Sequence, residues 1–587
     1  MLHRIGRKDF GVCLILFAFR MPCWVSAQDS NDIDASASEL RPMIERYTED
    51  QSILRRTVAI PMSEQRLDRM GRFFREWDAR LQEIDFNSLS QDGRIDYLLF
   101  RNALAYEVRQ VTVESEKQRE MIPLMPFFRT IVDLEESRRN AAYVDPAEAA
   151  DRMSGLAEQV IRVQKSVKSE VDQNKKGSVF AKKTVILRAA NVCEQMQRTL
   201  SRWYGFYHGY DPLFTWWVEE PYKKADEALK TYIAFLRGDV LGIRGGENDG
   251  PIIGDPIGRE ALLGELAHAM IPYTPEELIA AGKREYAWCE AEMIRASEAL
   301  GYGKDWHSAL EHVKTLHVAP GEQPSLILEQ ALEAITFLEA HDLISVPQLA
   351  KEMWKMGMMS PERQKVNPFF TGGEVISVSF PTNTMSHEDK LMSMRGNNVH
   401  FARATVHHEL IPGHHLQFFM MSRYRPYRRI FGTPFWLEGW PLHWEMLLWD
   451  LGFPKSPENR IGMLFWRMHR CARIIFSLSF HLGKMTPEEC IDFLVKGVGH
   501  ELANATAEVR RSFAGDYEPL YQCAYMIGGL QMRALYQELV ASGRMTDREF
   551  HDAVMSENSM PIVLLRAKLT NQPLREDFNA DWKFLEK

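Results

Sequence analysis

The stretch His407-His408-Glu409-Leu410-Ile411-Pro412-Gly413-His414-His415-Leu416-Gln417 carries the strongest chemical signal in this 587-residue chain. The nine consecutive residues 407–415 contain four histidines and a glutamate, although the whole chain has only 18 histidines. A hydrolytic zinc site needs neutral imidazole ligands, a third protein ligand, an open position for water, and a carboxylate that accepts a proton from that water. His408 followed directly by Glu409 provides a ligand and such a base, as in the HExxH motif. The stretch therefore predicts a metal-binding helix with Glu409 as general base.

The spacing of the two candidate histidine ligands departs from that motif. In HExxH the histidines are four residues apart, whereas His408 and His414 are six apart. On an unbroken helix they would lie about 120° apart around the axis and about 9 Å apart along it, too far to bind one ion. Pro412 cannot donate the helical hydrogen bond and Gly413 accepts unusual dihedral angles, so we expect a break that brings His414 round to His408. The alternative is a kinked, histidine-rich core helix.

A second stretch, Phe435-Trp436-Leu437-Glu438-Gly439-Trp440-Pro441-Leu442-His443-Trp444-Glu445, offers a third ligand. Its two glutamates are seven residues apart and so share one helix face. Glu438 follows His414 by 24 residues, a separation that lets a second helix return beside the first. We expect Glu438 to be the ligand. Glu445 is the alternative ligand, or a residue that orients His408 or His414 by a hydrogen bond.

The two segments HELIPGHHLQ and FWLEGWPLHWE together resemble the bacterial domain-of-unknown-function 885 family, whose members carry HExxPGHxxQ and EGWxxYxE. That family in turn resembles the helical gluzincin metallopeptidases, which include carboxypeptidases and dipeptidyl carboxypeptidases. The resemblance covers most of residues 40–580 and is strongest from Phe370 onward. It implies Zn²⁺ as the cofactor, bound by His408, His414 and Glu438, and a peptide or small amide as the substrate.

The resemblance also implies roles for two later segments. Ala507-Glu508-Val509-Arg510-Arg511 and Tyr525-Met526-Ile527-Gly528 match the family's AEVxR and YxxG patterns. By analogy with helical gluzincins, Tyr525 would donate a hydrogen bond to the oxyanion of the tetrahedral intermediate. Arg511 or Arg533 would bind a substrate carboxylate. Against these roles, a tyrosine before a glycine is often a core residue, and arginines on helices are often solvated.

Two positions depart from the family pattern. His443 stands where the family has the tyrosine of EGWxxYxE, and we expect it, with Glu445, to support the metal ligands. His481 matches a family histidine, but Ser477 replaces the acidic residue usually found four residues earlier. The role of His481 is therefore open.

Helical periodicity and the resemblance together predict a mainly α, metallopeptidase-like fold with a deep cleft. Helices are predicted over 147–174, 221–237, 274–300, 326–341 and 346–357. Alternation over Gly373–Phe380 predicts a short strand or hairpin near the metal helix, whose edge could pair with an extended peptide or serve the fold alone. The glycine-rich segment Gly238–Gly258 is predicted to be irregular, either as a lid or as a surface connection.

Residues 1–27 have the layout of a secretory signal peptide. Arg4, Arg7 and Lys8 precede the apolar run Phe10–Phe19, and Val25-Ser26-Ala27 is a small-residue cleavage site. A membrane anchor is the alternative, but ten apolar residues are too few to span about 30 Å of hydrocarbon. We expect an exported protein, periplasmic or secreted, without stable membrane insertion. Residues 28–587 are expected to form one helical domain, or two lobes, 28–360 and 361–587, that flank a cleft.

Composition and charge narrow the function classes. The net charge is −9, and it becomes −12 when residues 1–27, with four basic residues and one acidic residue, are removed. An acidic surface argues against nucleic acid as the partner. The remaining cysteines are scattered, without a CxxC pair, which is typical of buried thiols with at most one disulfide. The chain has neither the GxSxG elbow of serine hydrolases nor a nucleotide-binding fingerprint.

The leading interpretation is a zinc metallohydrolase that cleaves peptides. A second interpretation gives the same metal site a non-peptide amide or ester, because metal-assisted acyl transfer does not define the leaving group. A third is a catalytically inactive binding protein on the same scaffold.

Overall fold

The computed structural model describes residues 38–173, 180, 182–244, 250–364, 369–514 and 517–585. The predicted signal peptide lies outside these residues, as does part of the glycine-rich segment 238–258. The described residues form 23 α-helices and one two-stranded sheet, so the prediction of a mainly α fold is confirmed. None of the described helices combines the length and the apolar character needed to cross a membrane.

The helices of the first half are mostly long. They are α1 (Arg41–Thr57), α2 (Glu64–Gln82), α3 (Gln91–Met121), α4 (Phe128–Arg139), α5 (Pro146–Asp172), α6 (Lys183–Tyr207), α7 (Pro212–Ala234), α8 (Gly258–His268), α9 (Pro275–Ala299), α10 (Trp306–Lys314), α11 (Gln323–Ala340) and α12 (Gln348–Met353). Helix α9 begins where the sequence predicts it, because Thr274 and Glu277 form a capping box and Pro275 occupies the first turn.

The second half holds the sheet and the candidate site. Its helices are α13 (Pro361–Gln364), α14 (His387–Gly396), α15 (Val399–Glu409), α16 (His414–Met421), α17 (Pro434–Asp450), α18 (Pro457–His481), α19 (Pro487–Phe493), α20 (Leu502–Phe513), α21 (Tyr521–Leu539), α22 (Asp547–Ser556) and α23 (Ile562–Leu569). Short 3-10 helices cover Phe86–Ser88, Ile122–Leu124 and Pro426–Phe431, and π-helical turns cover Phe235–Val240 and Leu494–Val498.

The small sheet pairs β1 (Lys355–Met358) with β2 (Val375–Val378) in parallel. The helix predicted over 346–357 ends at Met353, and β1 follows it directly. The strand predicted over Gly373–Phe380 is confirmed in its central part, which forms β2. One edge of β2 pairs with β1. On the other side of β2, Thr371 and Ser377 form an antiparallel bridge, so a tight turn carries residues 372–376.

The buried apolar side chains of the described residues form two large cores and one small cluster. The small cluster packs β2 against α11 and α15, and the smaller of the two large cores joins helices between Ile60 and Leu241. The larger core joins α1–α3 to the second half, since it contains Phe100 as well as Trp440 and Met526. The larger core therefore has members on both sides of residue 360. Cys193, Cys289, Cys471, Cys490 and Cys523 are all buried and free, in agreement with the expected thiols.

Helices α17 and α21 pack in direct backbone contact near the site. A Cβ atom at Gly439 would lie 2.5 Å from the Gly528 carbonyl carbon, and one at Gly528 would overlap the Phe435 carbonyl oxygen. The two backbones therefore touch at a pair of glycines, a contact that any side chain would prevent. This contact brings the glutamate before Gly439 close to the tyrosines at the start of α21.

Replacing Gly528 with alanine should lower the midpoint of thermal unfolding, with a loss of about 1–3 kcal/mol from overpacking against backbone that cannot move aside. The matched control is Gly155→Ala in α5, where a Cβ would meet no atom within 4 Å. That control should be neutral or gain about 0.5–1 kcal/mol, because alanine is the better helix former. Thermal denaturation followed by circular dichroism measures both, and similar midpoints for the two variants would contradict the close packing.

Candidate metal centre

The helix that begins at Val399 breaks after Glu409, and α16 begins four residues later at His414. The break depends on Gly413, whose backbone lies so close to His408 that a Cβ would overlap the His408 carbonyl oxygen. The Gly413 amide donates to the His407 carbonyl at 3.0 Å. Trp440 of α17 secures the turn by donating from Nε1 to the Pro412 carbonyl at 2.8 Å. The break expected at Pro412-Gly413 is therefore present.

The break brings His408 and His414 together with Glu438 of α17. The two imidazole rings are nearly perpendicular, and their centroids are 5.0 Å apart. Glu438 Oε2 lies 3.7 Å from His408 Nε2 and 3.3 Å from His414 Nε2. All three side chains are buried, and their potential ligand atoms lie within 4.8 Å of one another. The ligand atoms of the three side chains therefore converge, as the sequence predicts.

Hydrogen bonds on the far side of each imidazole set its orientation. His408 Nδ1 donates to Glu445 Oε1 at 2.7 Å. His414 Nδ1 donates to Gln417 Oε1 at 3.1 Å, and the Gln417 amide nitrogen donates to the Leu437 carbonyl. Both Nε2 atoms therefore face Glu438, and a neutral imidazole in this orientation presents its Nε2 lone pair there, as metal-binding histidines do. Of the two roles considered for Glu445, the structure shows the hydrogen bond that orients His408. Gln417 orients His414 in the same way.

The Glu438 carboxylate presents one satisfied oxygen and one unsatisfied oxygen. Oε1 accepts a hydrogen bond from Tyr521 of α21. Oε2 is buried without a hydrogen-bond partner among the described residues. Burial alone would raise the pKa of Glu438, but His414 and His408 hold it well below its usual range. For His414, burial lowers the pKa while Glu438 raises it to about 9.

Two imidazoles and one carboxylate, with an unsatisfied oxygen between them, suit a divalent metal ion. This N, N, O donor set is the one that catalytic zinc sites use, with a further position left for water. The buried Oε2 atom would otherwise carry a desolvation cost that only a protonated His414 could offset. The residues present therefore fit zinc.

The cluster opens into a cavity of about 210 Å³, which Glu409 also lines. Glu409 is partly exposed, whereas both histidine ligands are buried. Gly372, in the turn before β2, packs so closely on Glu409 that a Cβ there would overlap Glu409 Oε2. The strand segment thus forms one side of the cavity and fixes the position of the candidate base.

Tyr525 lies in the same cavity, stacked on the metal-site histidine. Its ring is nearly parallel to that of His408, with centroids 6.1 Å apart. The guanidinium groups of Arg470 and Arg473 lie 4.8 and 4.3 Å from the Tyr525 ring centroid. Burial, together with the charge of Glu438, raises the pKa of Tyr525 well above its ordinary value. The phenol therefore stays protonated and can act as a hydrogen-bond donor.

Arg511 lines the cavity as predicted, accompanied by two arginines that the sequence analysis missed. Arg470 and Arg473 come from α18, three residues apart and so on one helix face. Tyr521 was missed as well, although it lies one helical turn before Tyr525. The available signals were arginines that recur every three residues at 467, 470 and 473 of α18, and a second tyrosine one helical turn before Tyr525.

The structure does not bring His443, Arg533 or His481 to the site. His443 lies five residues after Glu438 and so points to another side of α17, where its Nε2 is 3.0 Å from Nε2 of the buried His551. Arg533 pairs with Asp450 at 2.6 Å and is not among the residues that line the cavity. His481 packs against aromatic rings of the core. The lining of the cavity therefore includes neither His443, expected as a support, nor Arg533, expected to bind substrate.

The remaining histidines of the motif serve the fold. His415 Nε2 lies 2.8 Å from the Ala350 carbonyl, and His407 packs edge-on against Phe453. Burial, the larger effect, and nearby positive charges lower the pKa of His407 to about 3, so it is neutral. Two of the four clustered histidines therefore belong to the core.

Comparison with known proteins gives a fold and a family. A protein of unknown function from Shewanella oneidensis, described as a lipoprotein, superposes with a TM-score of 0.65 at 16% identity, over 91% of this chain and 100% of its own. A protein from Colwellia psychrerythraea, also described as a lipoprotein, gives 0.54 at 14% identity, over 91% and 97%. No curated protein matches the sequence significantly. A family model matches residues 55–569, which include every residue of the site, and the chain therefore belongs to DUF885, a family of bacterial proteins of unknown function.

Proposed function

We propose that this protein is a zinc-dependent hydrolase that cleaves peptides. The observation that carries the proposal is the buried meeting point of His408, His414 and Glu438, where Glu438 Oε2 has no other partner among the described residues. A carboxylate on the rim, Glu409, and a protonated phenol, Tyr525, line the same cavity. These groups match the parts that metal-assisted acyl transfer requires.

When bound, zinc would polarise the substrate carbonyl and lower the pKa of a bound water to about 7. Glu409 would accept the proton of the attacking water and pass it to the leaving amine. Tyr525 would donate a hydrogen bond to the developing oxyanion, in a site where Arg470 and Arg473 hold its ring in place. Glu445 and Gln417 would keep the two imidazoles oriented throughout.

Two alternatives use the same scaffold. A zinc amidase or esterase acting on a non-peptide substrate would need the same residues, and the gluzincin resemblance is what favours peptides. An inactive binding protein would need no metal. We also propose that the chain is exported to the periplasm or beyond. The layout of residues 1–27 supports this, and so does the lipoprotein description of two proteins that share its fold.

The test starts from cells that express the full-length sequence. Protein purified from the exported fraction should begin at Gln28 and contain about one zinc per chain by plasma mass spectrometry. A chelator should abolish hydrolysis of a mixed peptide library, and zinc should restore it. Cleavage of acyl esters or non-peptide amides but of no peptide would favour the first alternative. A chain that neither retains nor takes up zinc would remove both enzyme proposals.

A further inference from the structure

One end of the α4–α7 helices exposes a cluster of large apolar side chains. These four helices pack around the smaller of the two large cores. The Arg138 guanidinium, near the end of α4, lies 4.9 Å from the ring centroid of Phe206, near the end of α6. The α4–α5 and α6–α7 connections therefore lie at the same end of these helices. The exposed apolar residues there, which we call the aromatic end, are Tyr143, Phe206, Tyr210, Leu213, Trp216 and Trp217.

The aromatic end concentrates side chains that are rarely exposed elsewhere on the molecule. Single exposed apolar residues are normal on a soluble protein, whereas a contiguous patch marks a contact surface. Among the described residues, both exposed tryptophans and the one exposed phenylalanine lie within 206–217. Trp216 is 82% exposed, and Tyr143 and Tyr210 are 86% exposed. These rings bury little of their surface within a single chain.

The exposed rings stand on a fixed base. The Asp211 carboxylate caps α7 by accepting hydrogen bonds from the backbone amides of Leu213 and Phe214, at 2.9 and 3.0 Å. Phe214 is buried, and its ring centroid lies 5.3 Å from that of Trp203 and 4.9 Å from that of Tyr207. A partner that binds the aromatic end therefore meets a surface whose backbone is already ordered, which lowers the entropic cost of binding.

The charges near the aromatic end are balanced. Asp211 is the only formally charged residue within 203–218. The charged residues around the rings have both signs and are bonded within the chain: Arg138 and Arg139 with Glu135, Lys223 with Glu219 and Glu220, Asp145 with the first turn of α5, and Arg202 with Thr199. Like charges across a contact are costly, so a surface without net charge is one that two copies of an acidic chain can bring together.

The exposed apolar area is that of a protein contact. An aromatic side chain presents about 150–250 Å², so the five aromatic residues, which are 50–86% exposed, present about 500–900 Å² together. The largest apolar patch on a typical monomer is about 300–600 Å². A stable interface of ordinary size takes about 800 Å² from each partner. The aromatic end is therefore large enough to form most of such an interface.

We propose that the aromatic end is the contact between two copies of this chain, related by a two-fold axis. In a two-fold contact the same surface faces itself, so apolar rings of one copy bury apolar rings of the other. A lipid surface also accepts tryptophan and tyrosine, but surfaces that bind anionic lipids add clusters of lysine and arginine. The balanced charges of this end, in a chain of net charge −9, favour the second copy. None of the six residues lines the metal cavity, so the inference is independent of the proposed function.

The test is the mass of the purified chain in solution, measured by sedimentation velocity and light scattering from nanomolar to high micromolar concentration. We expect the wild type to reach twice the mass of one chain. The double variant Leu213→Glu with Trp216→Glu places two carboxylates from each copy in the contact. Its dimer dissociation constant should be at least about 100-fold higher, because like charges would face one another.

The matched control is Leu328→Glu with Leu332→Glu. These leucines are 47% and 55% exposed on α11, outside the aromatic end, and the pair should dimerise as the wild type does. Both double variants replace exposed side chains and should unfold at the wild-type temperature once each is monomeric. Oxidative footprinting of the wild type needs no variant. Tyr210 and Trp216 should be oxidised more slowly in concentrated than in dilute samples, whereas Tyr302, exposed elsewhere, should be unchanged.

A wild-type chain that remains monomeric at high micromolar concentration would overturn the inference. So would a dimer that persists in the Leu213→Glu, Trp216→Glu variant, that dissociates equally in the α11 control, or that leaves the aromatic end unprotected from oxidation. Flotation with vesicles of phosphatidylethanolamine and phosphatidylglycerol tests the other partner. A monomeric wild type that floats with the vesicles, when the double variant does not, would assign the aromatic end to a lipid surface instead.

Discussion

Replacing Glu409 with glutamine should lower peptide hydrolysis by about 10²–10⁴-fold, the usual contribution of a general base, while zinc remains bound. Glutamine keeps the size of the side chain, so its packing against Gly372 is preserved, but it cannot accept a proton from water. The metal should stay because the three ligand groups are contributed by other residues. Steady-state kinetics and metal analysis on the same sample measure the two quantities together.

The matched control for this variant is Glu374→Gln. Glu374 is an exposed glutamate two residues after Gly372 and lies outside the cavity lining. Its replacement should leave both activity and metal content unchanged. Near-normal turnover in Glu409→Gln would remove Glu409 from the role of base, and loss of zinc from that variant would make it a ligand instead.

Replacing Glu438 with alanine should have the largest effect on metal affinity. The Glu438 carboxylate would bind the ion directly, whereas Glu445 acts through His408 Nδ1. Loss of an orienting residue costs about 10–100-fold in metal affinity, so Glu445→Ala should fall in that range and Glu438→Ala beyond it. Competition against a chelator of known zinc affinity measures both variants.

Thermal unfolding of the two metal-free variants is the necessary control. Glu445→Ala leaves the buried Arg470 without its carboxylate contact, and part of its effect could come from the fold. Burial raises the pKa of Glu445, but Arg470 and His408 lower it to about 2, so this pair is charged in the native state. If Glu445→Ala loses more zinc than Glu438→Ala at equal stability, the third ligand must be reassigned.

The metal triad could be predicted from the sequence because each of its determinants is local. Pro412 and Gly413 indicate the helix break. The spacing of Glu438 and Glu445 places both carboxylates on one face of α17. On that face Glu438 approaches both Nε2 atoms, whereas Glu445 meets His408 Nδ1. The metal ligands, whose positions depend on residues close to them in the sequence, were therefore predictable.

The cavity wall was harder to predict because distant segments build it. Arg470 and Arg473 lie on α18, which carries no motif that points to the metal helix. The family pattern includes Tyr525 but not Tyr521, although both lie on the same face of α21. The β1 segment contains Gly357 between two methionines and has no clear alternation, so its pairing with β2 is decided by tertiary contacts.

The touching glycines of α17 and α21 limit how this scaffold can diversify. Gly439 and Gly528 lie away from the reacting atoms, yet neither can accept any side chain without separating Glu438 from the tyrosines of α21. Variation in substrate choice among relatives should therefore be found in α18, α20 and the turn before β2. A library for directed evolution should leave the glycine pair untouched and randomise those three segments.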